Sequence, residues 1–138
     1  MKRTVLLFCA LTIAVLLYPQ EPTGKSVQQI LMSKTWHMGE DLKKGCRFVF
    51  TRDSVEFYFV GAYGYDNFNG KLPYYLSDIE DESFDNSKVG KSENGVYLIM
   101  KSPGATPNLS YKRILEINDS QIRFENSKKR ILIYTAVE

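Results

Sequence analysis

The chain carries one histidine, one tryptophan and two cysteines, and no excess of one charge. A single histidine, His37, excludes a metal centre built from several imidazoles. Cys9 sits in an N-terminal apolar run and Cys46 stands alone in the rest, so no internal disulfide can staple a processed chain. Cys46 reads as a small hydrophobe on a strand, with a reactive or intermolecular thiol as the sharper alternative. Basic residues number 18 against 16 acidic ones, and Lys2 and Arg3 account for the difference. Phosphate recognition needs a clear basic excess or face, so a nucleic-acid partner is not expected. The acidic stretch 78–85 lacks the alternating Asp/Asn and central glycine of a calcium loop. A Gly-x-Ser-x-Gly elbow, a Cys–His pairing and a glycine-rich phosphate loop are also missing. These absences point away from catalysis, a cofactor or a metal.

A long hydrophobic run is lacking too. Residues 4–18 are uncharged and apolar, about 15 in a row, where a membrane span needs roughly 20. Following the basic start Met1-Lys2-Arg3, they have the layout of a secretory signal. Residues 1–20 are therefore expected to be a signal peptide or an uncleaved N-terminal anchor, and 21–26 a linker. Export to the periplasm or beyond follows, with membrane contact only if the segment is retained. Phe8 stands before Cys9 where lipid attachment requires a small residue, so a lipoprotein is not expected.

Strand-forming aromatics are plentiful, with nine Tyr and eight Phe. Ser26 and Gln29 have capping-box spacing ahead of Ile30, Leu31 and Met32, which predicts a short helix. Residues 34–38 then alternate around Trp36 as a half-buried strand does. Residues 46–51 and 54–60 form a hairpin about the 52–54 turn, with Phe48 and Phe57 facing inward as candidate ligand contacts. The glycines and asparagines of 61–70 predict a loop, and 71–77 a strand in which Pro73 marks an end or an edge. The alternation puts His37 on the outer face, toward solvent. Further strands are expected at 96–101, 109–117, 121–125 and 130–137. Eight strands with mostly short links and no crossover helix make an antiparallel meander. The expected fold is all-β, an eight-stranded antiparallel up-and-down β-barrel over 27–138 with a short N-terminal helical plug.

With this layout the chain resembles the lipocalin-like (calycin) family, especially its short bacterial secreted members. The likeness rests on the helix-then-Trp entry at 27–36 and on the meander. Tyr74-Tyr75-Leu76-Ser77-Asp78, Phe84-Asp85 and Lys88-Val89-Gly90-Lys91 add to it. Lys34-Thr35-Trp36 departs from the family's Gly-x-Trp by lacking the glycine. The resemblance implies a basic residue from the last strands packed on Trp36, with Arg123 and Arg130 both candidates. It also implies a non-catalytic protein with a cavity for a small hydrophobic ligand.

In a meander plugged by the helix, the loops at 39–45, 61–70, 102–108 and 126–129 line the open end. Lys43, Lys44, Lys128 and Lys129 then form a basic rim suited to an amphiphile with an anionic head. Tyr63, Tyr65 and Phe68 on the 61–70 loop are the stronger ligand candidates, because apolar rings on a glycine-hinged loop need something to cover. Arg113, another candidate ligand contact, faces inward under strict alternation and would then need a counter-charge or a ligand carboxylate. A bulge between Ile114 and Ile117 would turn it outward. The alternative function is a filled barrel that engages an unidentified protein through the aromatic loop 61–70.

Overall fold

The computed structural model describes residues 24–61 and 66–137. The expected signal or anchor, Cys9, the first half of the linker (21–23), Tyr63 and Tyr65 lie outside these residues.

Helix α1 (Val27–Ser33) starts on the capping box read from the sequence. The Gln29 amide donates to Ser26 Oγ at 3.1 Å, and the Ser26 amide donates to Gln29 Oε1 at 2.9 Å. Seven residues are too few for a helix to persist alone in water, so packing must hold it. Val27, Ile30 and Leu31 are buried against the main core. Three hydrogen bonds tie its first turn to neighbouring turns. Val27 N donates to Asn94 Oδ1 at 3.0 Å, Gln28 N to the Glu93 carbonyl at 2.9 Å, and Gln28 Nε2 to the Arg52 carbonyl at 2.9 Å. Ser26→Ala removes one half of the reciprocal cap. It is expected to cost about 1 kcal/mol, read as a lower urea midpoint with an unchanged m-value.

Eight strands follow: β1 (Thr35–Met38), β2 (Cys46–Phe50), β3 (Ser54–Val60), β4 (Asp66–Ser77), β5 (Tyr97–Lys101), β6 (Leu109–Ile117), β7 (Gln121–Asn126) and β8 (Ile131–Val137). They form one antiparallel sheet in chain order. β1 pairs with β8 as well as with β2, from Thr35 opposite Val137 to Met38 opposite Tyr134, so the sheet closes on itself. Every strand therefore has two neighbours, and no whole strand is left as an unpaired edge. One end is floored by α1 and by the turns near Asp53, Asn94 and Asp119. The other is the mouth, where the links 39–45, 102–108 and 127–130 leave and re-enter the sheet and where β3 ends and β4 begins.

Two irregularities change which way side chains point. A register shift between Phe57 and Tyr58 sets Phe57 opposite Gly70 but Tyr58 opposite Phe68. β4 therefore begins at Asp66, and the expected 61–70 loop is corrected to a shorter one. Pairing with β3 outweighs the turn-forming character of Asn67, Asn69 and Gly70. Pro73 lies inside β4, where the strand passes from pairing with β3 to pairing with β5. A second shift between Ile114 and Glu116 leaves Ile114 and Ile117 both buried, as the anticipated bulge would.

The link 78–96 packs along the outside of the sheet. Phe84 joins Tyr75, Ile99 and Leu109 in a second apolar cluster there. Tyr75 donates to Asp81 at 2.6 Å, and Lys88 Nζ lies 3.0 Å from the same carboxylate. Those two partners, Tyr75 first, hold the Asp81 carboxyl below its usual range. The acidic run is thus used in part to fasten this flap.

Candidate functional site

The interior divides into a packed floor and an open mouth. Trp36 is fully buried at the floor, and its indole N–H donates to the Leu31 carbonyl at 2.9 Å. Above it Phe48 stacks on Tyr134 at 4.7 Å between ring centroids, and Phe124 meets Tyr134 edge-on at 4.9 Å. Phe50 meets Tyr74 edge-on at 5.4 Å, and burial lifts the Tyr74 hydroxyl to about 12. These rings fill the lower half. Phe48, a ligand candidate from the sequence, is part of this packing. Phe57, another, is half-buried with its ring 5.4 Å from that of Phe48.

Toward the mouth the inward face becomes accessible. Cross-strand partners in an antiparallel pair share a face, so the register identifies which residues look inward. Met38, Cys46 and Phe59 do so on β1, β2 and β3, and Phe59 is 50% exposed. On β6, Ser110 and Lys112 lie opposite the core residues Met100 and Leu98 of β5. Lys112 also shares the face of Ile114, two residues on. It is the one charged side chain on the inward face of the eight strands among the described residues.

Lys112 has no ion pair or hydrogen-bond partner, and burial depresses its amine to about 8. The Tyr134 hydroxyl likewise lacks a hydrogen-bond partner. Burial, and next to it the charge Cys46 can carry, push that hydroxyl above its ordinary value. Composition could not reveal Lys112. Counting back by twos from Ile114 could, once the bulge had removed Arg113 from that face.

The other sequence candidates lie elsewhere. Phe68 is 63% exposed on the outer face, its ring 5.6 Å from that of Tyr58, so it does not fold over the mouth. Arg113 is exposed and stands opposite Glu125, so of its two readings the outward one, set by the bulge, holds, and it is not an inward ligand contact. Arg123 faces outward and approaches Glu116 at 3.5 Å, while Arg130 is exposed. Neither packs on Trp36, because odd positions of β7 point away from the core and Arg130 lies before β8. The indole is held by α1 instead. Of the rim lysines, Lys129 is drawn to Glu125 at 3.6 Å.

His37 corrects a further expectation: it is on the outer face yet 0% exposed. The link 39–45 folds down over it, and Nε2 lies 3.0 Å from the Asp41 carbonyl. His37 Nδ1 and the neighbouring Arg47 Nε are buried without partners. Gly39 and Gly45 allow the close cover, since a Cβ on Gly45 would strike the Met38 carbonyl. Beside this link an outer groove of about 600 Å³ is lined by Leu42, Ile131, Ile133 and their neighbours.

Among the described residues there is no group of three or more His, Cys, Asp or Glu fit to hold a metal ion. No described helix is long and apolar enough to cross a membrane. No protein-family model matches the chain, and neither a curated protein nor a solved structure is significantly similar to it.

Proposed function

We propose that the protein is an exported, non-catalytic lipocalin-like barrel that binds a small hydrophobic or amphipathic molecule at its open end. The observation that supports this best is the contrast along the inward face: rings fill the floor, while Met38, Cys46, Phe59 and Lys112 remain reachable from the mouth. A ligand seated there would be shallow, covering Phe59 and reaching down to Phe57. Apolar side chains with a few convergent polar groups are the usual lining of small-molecule sites.

The test is native mass spectrometry of the purified protein, followed by titration with the fluorescent probe 1-anilinonaphthalene-8-sulfonate. A one-to-one complex is expected, displaced by medium-chain amphiphiles and weakened by Phe59→Ser. A folded protein that carries no small molecule and takes up neither probe nor amphiphile overturns the reading.

A second reading has its own support. Leu42, Ile131 and Ile133 are each about half exposed around the outer groove, and Phe68 stands out on the same exterior. A barrel filled by its own rings would use such a surface to hold a protein partner. Failure of the titration combined with concentration-dependent self-association favours this alternative.

A further inference from the structure

The inward face presents an electrostatic imbalance that the basic rim does not explain. Among the described residues, the other inward positions of the eight strands are apolar or neutral, and Lys112 alone carries a charge. Lys112 reaches the interior from β6, between Leu98 on β5 and Asn126 on β7. Among the described residues, the titratable groups that share this interior are Cys46 on β2, Tyr74 on β4 and Tyr134 on β8, and no carboxylate is among them. Tyr74 is occupied, donating to the Thr51 carbonyl at 2.6 Å. Asn126 is also occupied, its Oδ1 accepting from the Lys128 and Arg130 amides. The Tyr134 hydroxyl remains as a second unpartnered donor on a residue 2% exposed. A cation removed from water costs free energy unless an anion or acceptors meet it. Lys112 is half-buried, and the described residues supply neither.

We infer that Lys112 is the anchor for the acidic group of the bound amphiphile, which enters head first. The inference rests on the small-molecule reading above and names the ligand class: a monocarboxylate, or a comparable small anion, on an apolar chain. The tail then lies toward Phe59 and the mouth, and the lysines of the rim stay in solvent. This reverses the arrangement in which Lys43, Lys44, Lys128 and Lys129 hold the head outside.

Proton linkage gives a signature that packing alone would not produce. A carboxylate beside the amine favours the ammonium form, so the bound Lys112 titrates higher than the free one. Affinity for a carboxylate is therefore full below the free value of about 8 and falls as pH rises through it. Affinity for the matching alcohol has no such dependence.

The experiment is isothermal titration of the intact protein with decanoate and with decan-1-ol between pH 6 and 10. Decanoate is expected to bind with proton uptake near pH 8 and to weaken above it, while the alcohol stays level. Lys112→Met should reduce decanoate affinity roughly tenfold to hundredfold and leave the alcohol within about twofold. Lys112→Arg should preserve decanoate binding and abolish its decline near pH 8, because arginine stays charged. Lys128→Gln/Lys129→Gln should change little. Circular dichroism and urea midpoints establish that each variant is folded, and Lys112→Met removes an unpaired buried charge, so its midpoint should not fall. Equal binding of acid and alcohol, unaffected by Lys112→Met, overturns the inference and leaves the hydrophobic-ligand reading standing. Loss of decanoate binding in the rim variant alone overturns it as well. Failure of both ligands to bind the wild-type protein removes the reading on which it rests.

Discussion

Trp36→Ala is expected to lower the free energy of unfolding by about 3–5 kcal/mol. The indole is the largest fully buried side chain, and it sits where α1, β1 and the β8 seam converge. Truncation leaves a cavity at the floor and frees the Leu31 carbonyl from its 2.9 Å hydrogen bond. A domain of this size has roughly 5–15 kcal/mol to lose, so the variant would unfold at a far lower urea concentration. Trp36→Phe separates the two contributions. It keeps an aromatic ring but strands the Leu31 acceptor, for which a loss of about 1–3 kcal/mol is expected. Far-ultraviolet circular dichroism is the right probe, since fluorescence loses its reporter in both variants. Equal midpoints for wild type and Trp36→Ala would show that the floor is not a closed, packed core.

Gly45→Ala is expected to cost about 2–4 kcal/mol for a single methyl group. Two independent penalties meet at this residue. Its φ of +92° lies where residues with a Cβ are disfavoured, and the added carbon would strike the Met38 carbonyl, which is rigid backbone. The strand entry must shift, lifting the 39–45 link from His37 and opening the approach to Cys46 beside it. Reaction of the thiol with Ellman's reagent should accelerate along with the drop in midpoint. Gly104→Ala is the control. Its φ is +77° with nothing within 4 Å of a Cβ, so only the backbone penalty of about 1 kcal/mol applies. Similar losses at both glycines would mean that the link is not clamped on His37.

The sequence made the frame legible for simple reasons. Ser26 and Gln29 specify a helix start through their own side chains, and the capping box is present as read. The 46–60 hairpin follows from strict alternation about a three-residue turn, and its register runs without a break from Cys46 to Phe50. Where the reading failed, a non-local partner decided. Residues 66–70 contain Asn67, Asn69 and Gly70, which favour turns, yet pairing with β3 makes them strand. His37 sits on the outer face as alternation requires, and only the later return of 39–45 buries it. Arg113 and Lys112 exchange roles because one bulge past Ile114 sets the phase of β6. The expected basic partner for Trp36 was tied to Arg123 and Arg130, but the acceptor is a carbonyl at the end of α1. No side-chain pattern records a carbonyl.

The seam between the first and last strands also imposes an order in time. β1 contributes only four residues to each of its two ladders, and Thr35 must wait for Val137 before one of them can form. During synthesis every earlier strand can find its neighbour as it emerges, whereas β1 keeps one unmatched side until β8 has emerged. The cost of joining such distant segments is met at the end, by a ladder of only four residue pairs. A nascent chain stalled anywhere before β8 would therefore present two open flanks to its neighbours, and chaperone dependence should be concentrated in that interval.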